Sequence, residues 1–85
     1  MNKQTFPLTF LTAGQKAAVK EIASGRNLRH RLNELGFVRG AEVQVIRNDG
    51  CGPIIISLGN GLGNSRLAIG RGAAHKVMVE EVKEA

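Results

Sequence analysis

The sequence is poor in the residues that most often carry chemistry. Its 85 residues include one cysteine, Cys51, two histidines, His30 and His75, and no tryptophan or tyrosine. A single cysteine excludes a disulfide within the chain and a metal site built from several thiolates. Neither histidine stands beside a serine or cysteine in a known catalytic pattern. We therefore expect no catalytic residues, no metal ligands and no bound cofactor, and we predict that the protein is not an enzyme.

Long apolar segments are also missing. The longest apolar run, residues 53–56, falls far short of the roughly 18–20 residues that a membrane-spanning helix needs. Residues 1–10 lack the sustained apolar core of a signal peptide. We expect one soluble cytoplasmic domain over residues 1–85, with residues 1–7 as a loosely ordered lead-in.

Glycine and aliphatic residues are abundant, and their pattern predicts a β domain. Eleven glycines separate short apolar segments, as turns separate strands. Ala41, Val43 and Val45 alternate with polar or outward positions, which is typical of a half-buried strand. A bulge is expected near Lys20 and Glu21, where the alternation changes phase. Five strands are predicted, over residues 15–22, 41–46, 54–58, 65–69 and 77–82, with a mobile hairpin loop over residues 59–64.

One short helix is predicted over residues 27–35. Asn27 is a favourable N-cap, and Gly36 suits the left-handed residue that ends a helix. Leu28, Leu32 and Leu35 recur at helical spacing and predict an apolar stripe. One or two further helical turns are expected, one capped by Thr9 and one within residues 70–76. Five short strands with one helix predict a mainly β protein, a small closed barrel whose end the helix covers.

Positive charge is concentrated around the predicted helix. The net charge is +5, which favours an acidic protein surface, nucleic acid or an anionic membrane as partner. Arg29 and Arg31 fall on opposite flanks of the leucine stripe, and Arg39 follows the helix. Because arginine suits carboxylate recognition, we predict a partner-binding surface. Its residues are Arg29, Arg31 and Arg39, with Leu28 and Leu32 seating the helix; a solvated helix face is the alternative.

Nucleic-acid binding is the competing interpretation, because small β-barrels often bind RNA. Stacking on bases needs aromatic side chains at the surface. The three phenylalanines, Phe6, Phe10 and Phe37, are expected to pack in the core or under a lid. We therefore expect no nucleic-acid partner.

The order of these residues resembles the FeoA family, the small cytosolic component of bacterial ferrous-iron transport. The most specific part reads Arg31-Leu32-xx-Leu35-Gly36-Phe37-xx-Gly40-xx-Val43-x-Val45. It is preceded by Leu8-xx-Leu11-xx-Gly14 and Ala17-x-Val19-xx-Ile22. It is followed by Gly52-Pro53-Ile54, Leu67-Ala68-Ile69 and Val77-x-Val79. The resemblance covers nearly the whole chain. Two segments depart from the usual pattern, Leu67-Ala68-Ile69-Gly70-Arg71-Gly72 in the region of the fourth strand and the glycine-rich residues 59–64.

This resemblance implies an SH3-like barrel that regulates iron uptake. The implied partner is the membrane permease that moves Fe²⁺ inward and carries a cytosolic GTP-binding domain. The protein would then lie in the cytoplasm, at the inner face of the membrane through its partner. The same module also occurs as a domain of iron- and manganese-dependent repressors, which leaves a related SH3-like domain as a further alternative.

Overall fold

The fold is a six-stranded antiparallel sheet with short helices, in a computed structural model that describes residues 4–59 and 63–82. The strands are β1 (Phe6–Pro7), β2 (Lys16–Ile22), β3 (Glu42–Arg47), β4 (Ile54–Gly59), β5 (Asn64–Ile69) and β6 (Val77–Glu81). The helices are the 3-10 helix η1 (Leu8–Phe10), α1 (Arg26–Leu35) and α2 (Arg71–Ala74). The mainly β class predicted from the sequence is confirmed.

The strand count is six rather than the predicted five. The additional strand is β1, in which Phe6 pairs with Val79 and Pro7 with Met78. The lead-in predicted through Pro7 is therefore wrong for these two residues, while residues 1–3 lie outside the described part. A strand of two residues is too short for alternation to reveal it. The sheet order is β1-β6-β2-β3-β4-β5, so β1 and β5 form its two edges among the described residues.

The core is aliphatic, as the composition predicted. Alternate residues of the strands point inward, and Val43, Ile56 and Val79 are fully buried. Phe37 is the largest fully buried side chain. Within residues 4–59 and 63–82 no polar or charged residue is buried. Burial of apolar area therefore stabilises this fold without the cost of unpaired buried polar groups.

The predicted bulge in β2 is confirmed. The register of β2 against β6 shifts between Val19 and Glu21. Because the extra residue changes the phase of the alternation, Val19 and Ile22 both face the core, although they are three positions apart.

Helix α1 begins one residue earlier than predicted, and Asn27 is not its cap. Gly25 occupies the N-cap position with extended backbone and no side-chain cap, and its carbonyl accepts the Arg29 N–H at 3.1 Å. The predicted end is confirmed, since Gly36 has φ +110°. Leu35 does not belong to the buried stripe, because 56% of it is exposed. The core at this end of the helix holds Phe37 instead.

The remaining turns agree in part with the sequence prediction. Thr9 lies inside η1 rather than capping it, because η1 starts directly after Pro7 and has no side-chain cap. The predicted helical turn within residues 70–76 is α2. Gly59 and Asn64 are paired strand residues, while residues 60–62 of the predicted loop lie outside the described part.

Candidate docking surface

The described residues bring no metal-binding cluster together. No group of three or more His, Cys, Asp or Glu side chains lies close enough together in residues 4–59 and 63–82 to hold a metal ion. Cys51 is exposed in a turn. The His30 Nε2 faces the Glu34 carboxylate at 3.7 Å, and the His75 Nδ1 lies 3.2 Å from the Thr9 hydroxyl.

The surface is organised by α1, which two leucines hold against the sheet. Leu32 is buried, with 2% exposed, and Leu28 is half-buried against the same core. Both residues therefore seat the helix. Their placement directs Arg29 and Arg31 to opposite flanks of α1, and both side chains are exposed.

Arg29 and Arg39 line one groove, which we call the helix groove. It lies between β2 and α1 and measures about 450 Å³. Its walls come from residues 19–22 of β2, from Arg29 and Asn33 of α1, and from the connector over residues 37–39. Beyond the last β2–β3 pair, Ala18 with Glu42, the chain between α1 and β3 stays bonded to β2. The Val19 N–H donates to the Ala41 carbonyl oxygen and the Gly40 N–H donates to the Val19 carbonyl oxygen, both at 2.8 Å.

The cations of the helix groove differ in how they are paired. The Lys20 Nζ lies 3.3 Å from a Glu80 carboxylate oxygen. The Arg29 side chain donates one hydrogen bond among the described residues, from Nη2 to the Ser24 carbonyl oxygen at 3.2 Å. The Arg39 side chain has no hydrogen bond or ion pair with the described residues. Glu21 also lines the groove. Two guanidinium groups are therefore available to an incoming carboxylate.

Arg31 does not belong to the helix groove. It lines a separate depression on the other side of α1, together with Arg26, Asn27 and His30. The sequence placed Arg29, Arg31 and Arg39 on one surface, and the structure brings only Arg29 and Arg39 together.

Val38 is a residue of this surface that the sequence prediction missed. It is 43% exposed and stands beside Arg39 between the helix groove and a second depression, which Glu42, Gly59 and Asn64 also line. The sequence could have indicated the exposure of Val38, because this residue directly follows the buried Phe37 and neighbouring residues of an extended chain face opposite sides.

Phe10 is also more exposed than expected. Phe37 is buried and Phe6 is half-buried against the core, but Phe10 is 66% exposed. The Phe6 and Phe10 ring centroids are 6.3 Å apart. The prediction that all three phenylalanines pack inside is wrong for Phe10, which the short helix η1 presents to solvent.

A small antiparallel sheet around one aliphatic core, with a short helix beside it, defines an SH3-like domain. A family model described as the FeoA domain matches residues 6–81. The chain belongs to the FeoA family.

Relatives of known sequence or structure support this assignment. A protein of Methanocaldococcus jannaschii named "Putative Fe(2+) transport protein A" is 41% identical over 78 residues, which are 92% of this chain and 89% of that protein. The crystal structure of an iron uptake regulatory protein, FeoA, superposes with TM-score 0.83 and 39% identity. The match covers 93% of this chain and 100% of the chain in that crystal structure. FeoA of Stenotrophomonas maltophilia, solved with zinc and described as an SH3 domain protein, gives TM-score 0.71 and 28% identity over 86% of this chain and 87% of that one.

The likeness to metal-dependent repressors concerns the fold alone. A manganese-dependent transcriptional repressor superposes with TM-score 0.82 over 96% of this chain, at 15% identity, and the match covers 39% of the repressor chain.

Neither α1 nor α2 has the length and apolar content of a membrane-spanning helix, and no other α-helix occurs in the described residues.

Proposed function

We propose that the protein is an accessory protein of ferrous-iron uptake that binds the cytosolic, GTP-binding part of a membrane Fe²⁺ permease and regulates it. Family membership supports a place in iron transport, as does the relative named for Fe²⁺ transport. In this proposal the protein acts by docking and catalyses no reaction. It works in the cytoplasm and reaches the membrane through its partner.

The observation that carries the proposal is the pair of available guanidinium groups at the helix groove. Arg29 and Arg39 stand at one groove without a carboxylate partner among the described residues, and the exposed Val38 lies beside them. Arginine can bind a carboxylate through two parallel hydrogen bonds. An apolar side chain next to such a pair supplies contact area that excludes water. We therefore assign docking to this groove and expect the partner segment to carry carboxylates.

Charge reversal in the groove tests this assignment. The double variant R29E/R39E should bind the isolated cytosolic region of the permease at least about tenfold more weakly, because two attractive contacts become repulsive. Both residues are exposed, so the melting temperature should change little. The control is R66E, an exposed arginine on β5 without an ion pair among the described residues. Equal loss of affinity in R66E, or no loss in R29E/R39E, would place the docking surface elsewhere.

Nucleic-acid binding is the second candidate, and the exposure of Phe10 favours it. An exposed aromatic ring on a protein of net charge +5 could stack on a base. Retention on single-stranded RNA, measured at low and high salt, separates the two candidates because phosphate contacts weaken steeply with salt. We expect no retention at physiological salt. Retention that F10A abolishes would favour nucleic acid over the permease.

A further inference from the structure

We propose that the outward face of α1 docks on the surface of a bilayer that contains anionic lipids. We call this surface the basic face; it consists of Arg26, His30 and Arg31, which line one depression, and of the exposed Leu35 at its border, one helical turn after Arg31. It adjoins the helix groove, because Arg26 and His30 share a depression with Arg29 and Asn33, and it would give the protein a membrane contact of its own in addition to the permease. The inference concerns lipid alone and does not depend on the proposed function.

The charges of the basic face are not used within the fold. Arg26 and Arg31 are exposed, and neither side chain forms an ion pair or hydrogen bond with the described residues. Both line one shallow depression with Asn27 and His30. A second depression joins Arg26 and His30 to Arg29 and Asn33. Both arginines therefore border the same depression, where the phosphate groups of a lipid surface can contact them.

The negative charge on α1 is small. Glu34 is the one acidic residue of the helix, and its carboxylate faces the His30 ring at 3.7 Å. The first turn of α1 has no acidic residue and begins with Arg26, although a helix dipole favours acidic side chains there. This arrangement does not serve the stability of the helix. The positive charge at this end of the helix does, however, attract an anionic surface.

The apolar part of the face favours lipid over nucleic acid. Leu35 lies one helical turn after Arg31 and is 56% exposed, so it can enter the boundary between headgroups and acyl chains. Residues 26–35 include no Phe, Tyr or Trp on which a base could stack. Phe10 is on η1, which packs against α2 and β6. The anionic headgroups of the cytoplasmic leaflet attract each basic residue near the surface, and the exposed leucine adds apolar contact with the lipid.

Vesicle binding by the full chain tests the inference, with no permease present. The protein should co-sediment with vesicles that contain phosphatidylglycerol and stay in solution with vesicles of phosphatidylcholine alone. Since each basic residue near such a surface contributes about a fivefold change in affinity, R26Q/R31Q should bind about 30-fold more weakly. E34Q should bind about fivefold more tightly. R31Q alone should bind about fivefold more weakly. Its matched control is R66Q, which should bind like the unmodified protein. Circular dichroism before sedimentation shows whether each variant is folded.

Each outcome decides the matter. Selective binding to phosphatidylglycerol that R26Q/R31Q weakens and E34Q strengthens supports the inference. Equal binding to both vesicle types, equal loss in R66Q and R31Q, or no binding overturns it. Binding to single-stranded RNA with the same sensitivity to R26Q/R31Q, in a protein that vesicles do not retain, assigns the face to nucleic acid instead. Because the permease is absent, failure here leaves docking in the helix groove untouched, and failure of R29E/R39E to weaken permease binding leaves this result untouched.

Discussion

Leu32 and Leu35 lie on the same helix in opposite environments. Leu32 is 2% exposed and Leu35 is 56% exposed. Leu32→Ala should therefore lower the free energy of unfolding by about 2–5 kcal/mol, since it removes buried methyl groups and leaves a cavity. Leu35→Ala should change it by about 0.5 kcal/mol or less. Urea unfolding followed by circular dichroism measures both, and similar losses in the two variants would contradict the packing of α1.

Gly36 links helix α1 to the buried Phe37 through a backbone conformation that other residues rarely adopt. Its φ is +110°, and an added Cβ would lie 3.1 Å from the Leu58 Cδ2. Gly36→Ala should therefore destabilise the protein by about 1–2 kcal/mol. Gly72→Ala is the matched control, because nothing lies within 4 Å of its added Cβ and the residue is helical. Its melting temperature should stay the same or rise. If the Gly36→Ala and Gly72→Ala variants were equally stable, the conclusion that a side chain is strained at position 36 would be contradicted.

At the scale of elements, Asn48 joins η1, the turn after β3 and α2. Its Nδ2 donates to the Leu11 carbonyl oxygen at 2.7 Å, and its Oδ1 accepts from the Arg71 Nη2 at 2.8 Å. The Gly50 N–H donates to the same oxygen at 3.2 Å. These contacts connect segments that the sheet hydrogen bonds do not join.

Removal of the Asn48 side chain should therefore cost more than removal of an exposed asparagine. Asn48→Ala should lower the free energy of unfolding by about 1–3 kcal/mol, because several hydrogen-bonding groups lose their partner. Asn33→Ala, at an exposed position of α1, should change it by about 0.5 kcal/mol or less. Thermal unfolding of both variants checks this, and equal melting temperatures would mean that Asn48 does not join these elements.

The elements were predictable from sequence where a local rule decides the structure. Alternation located β3, and the left-handed preference of glycine located the end of α1 at Gly36. The start of α1 was misplaced because Asn27 has the stronger cap propensity, yet the chain turns at Gly25, where the backbone carbonyl and not a side chain meets the first turn. The strand β1 depends on a partner at Val79, more than 70 positions away, which no local pattern contains.

The same limit applies to the candidate site. The sequence identified the arginines and the leucines that seat the helix, because helical spacing places them. It did not separate Arg31 from Arg39, since that separation depends on how α1 and its connector pack against β2. Leu35 also fits the apolar spacing of the stripe, and only the burial of Phe37 at that end explains its exposure.

At the scale of the whole molecule, the net charge of +5 should make docking sensitive to salt. The Debye length falls from about 10 Å at 0.1 M salt to about 3 Å at 1 M, so exposed arginines attract a partner less strongly at high salt. Affinity for the cytosolic region of the permease should fall over this range, with most of the change in the association rate. Surface plasmon resonance in a salt series measures both quantities, and an association rate that does not vary with salt would contradict electrostatic docking.

The most direct test of the account is to map the contact residue by residue. Isotope-labelled protein is titrated with the cytosolic region of the permease while the backbone amide signals are followed by nuclear magnetic resonance. Docking in the helix groove predicts that the largest changes cluster at residues 20–22, Arg29, Asn33 and residues 37–39. Changes confined to β5, or to η1 and α2, would contradict it.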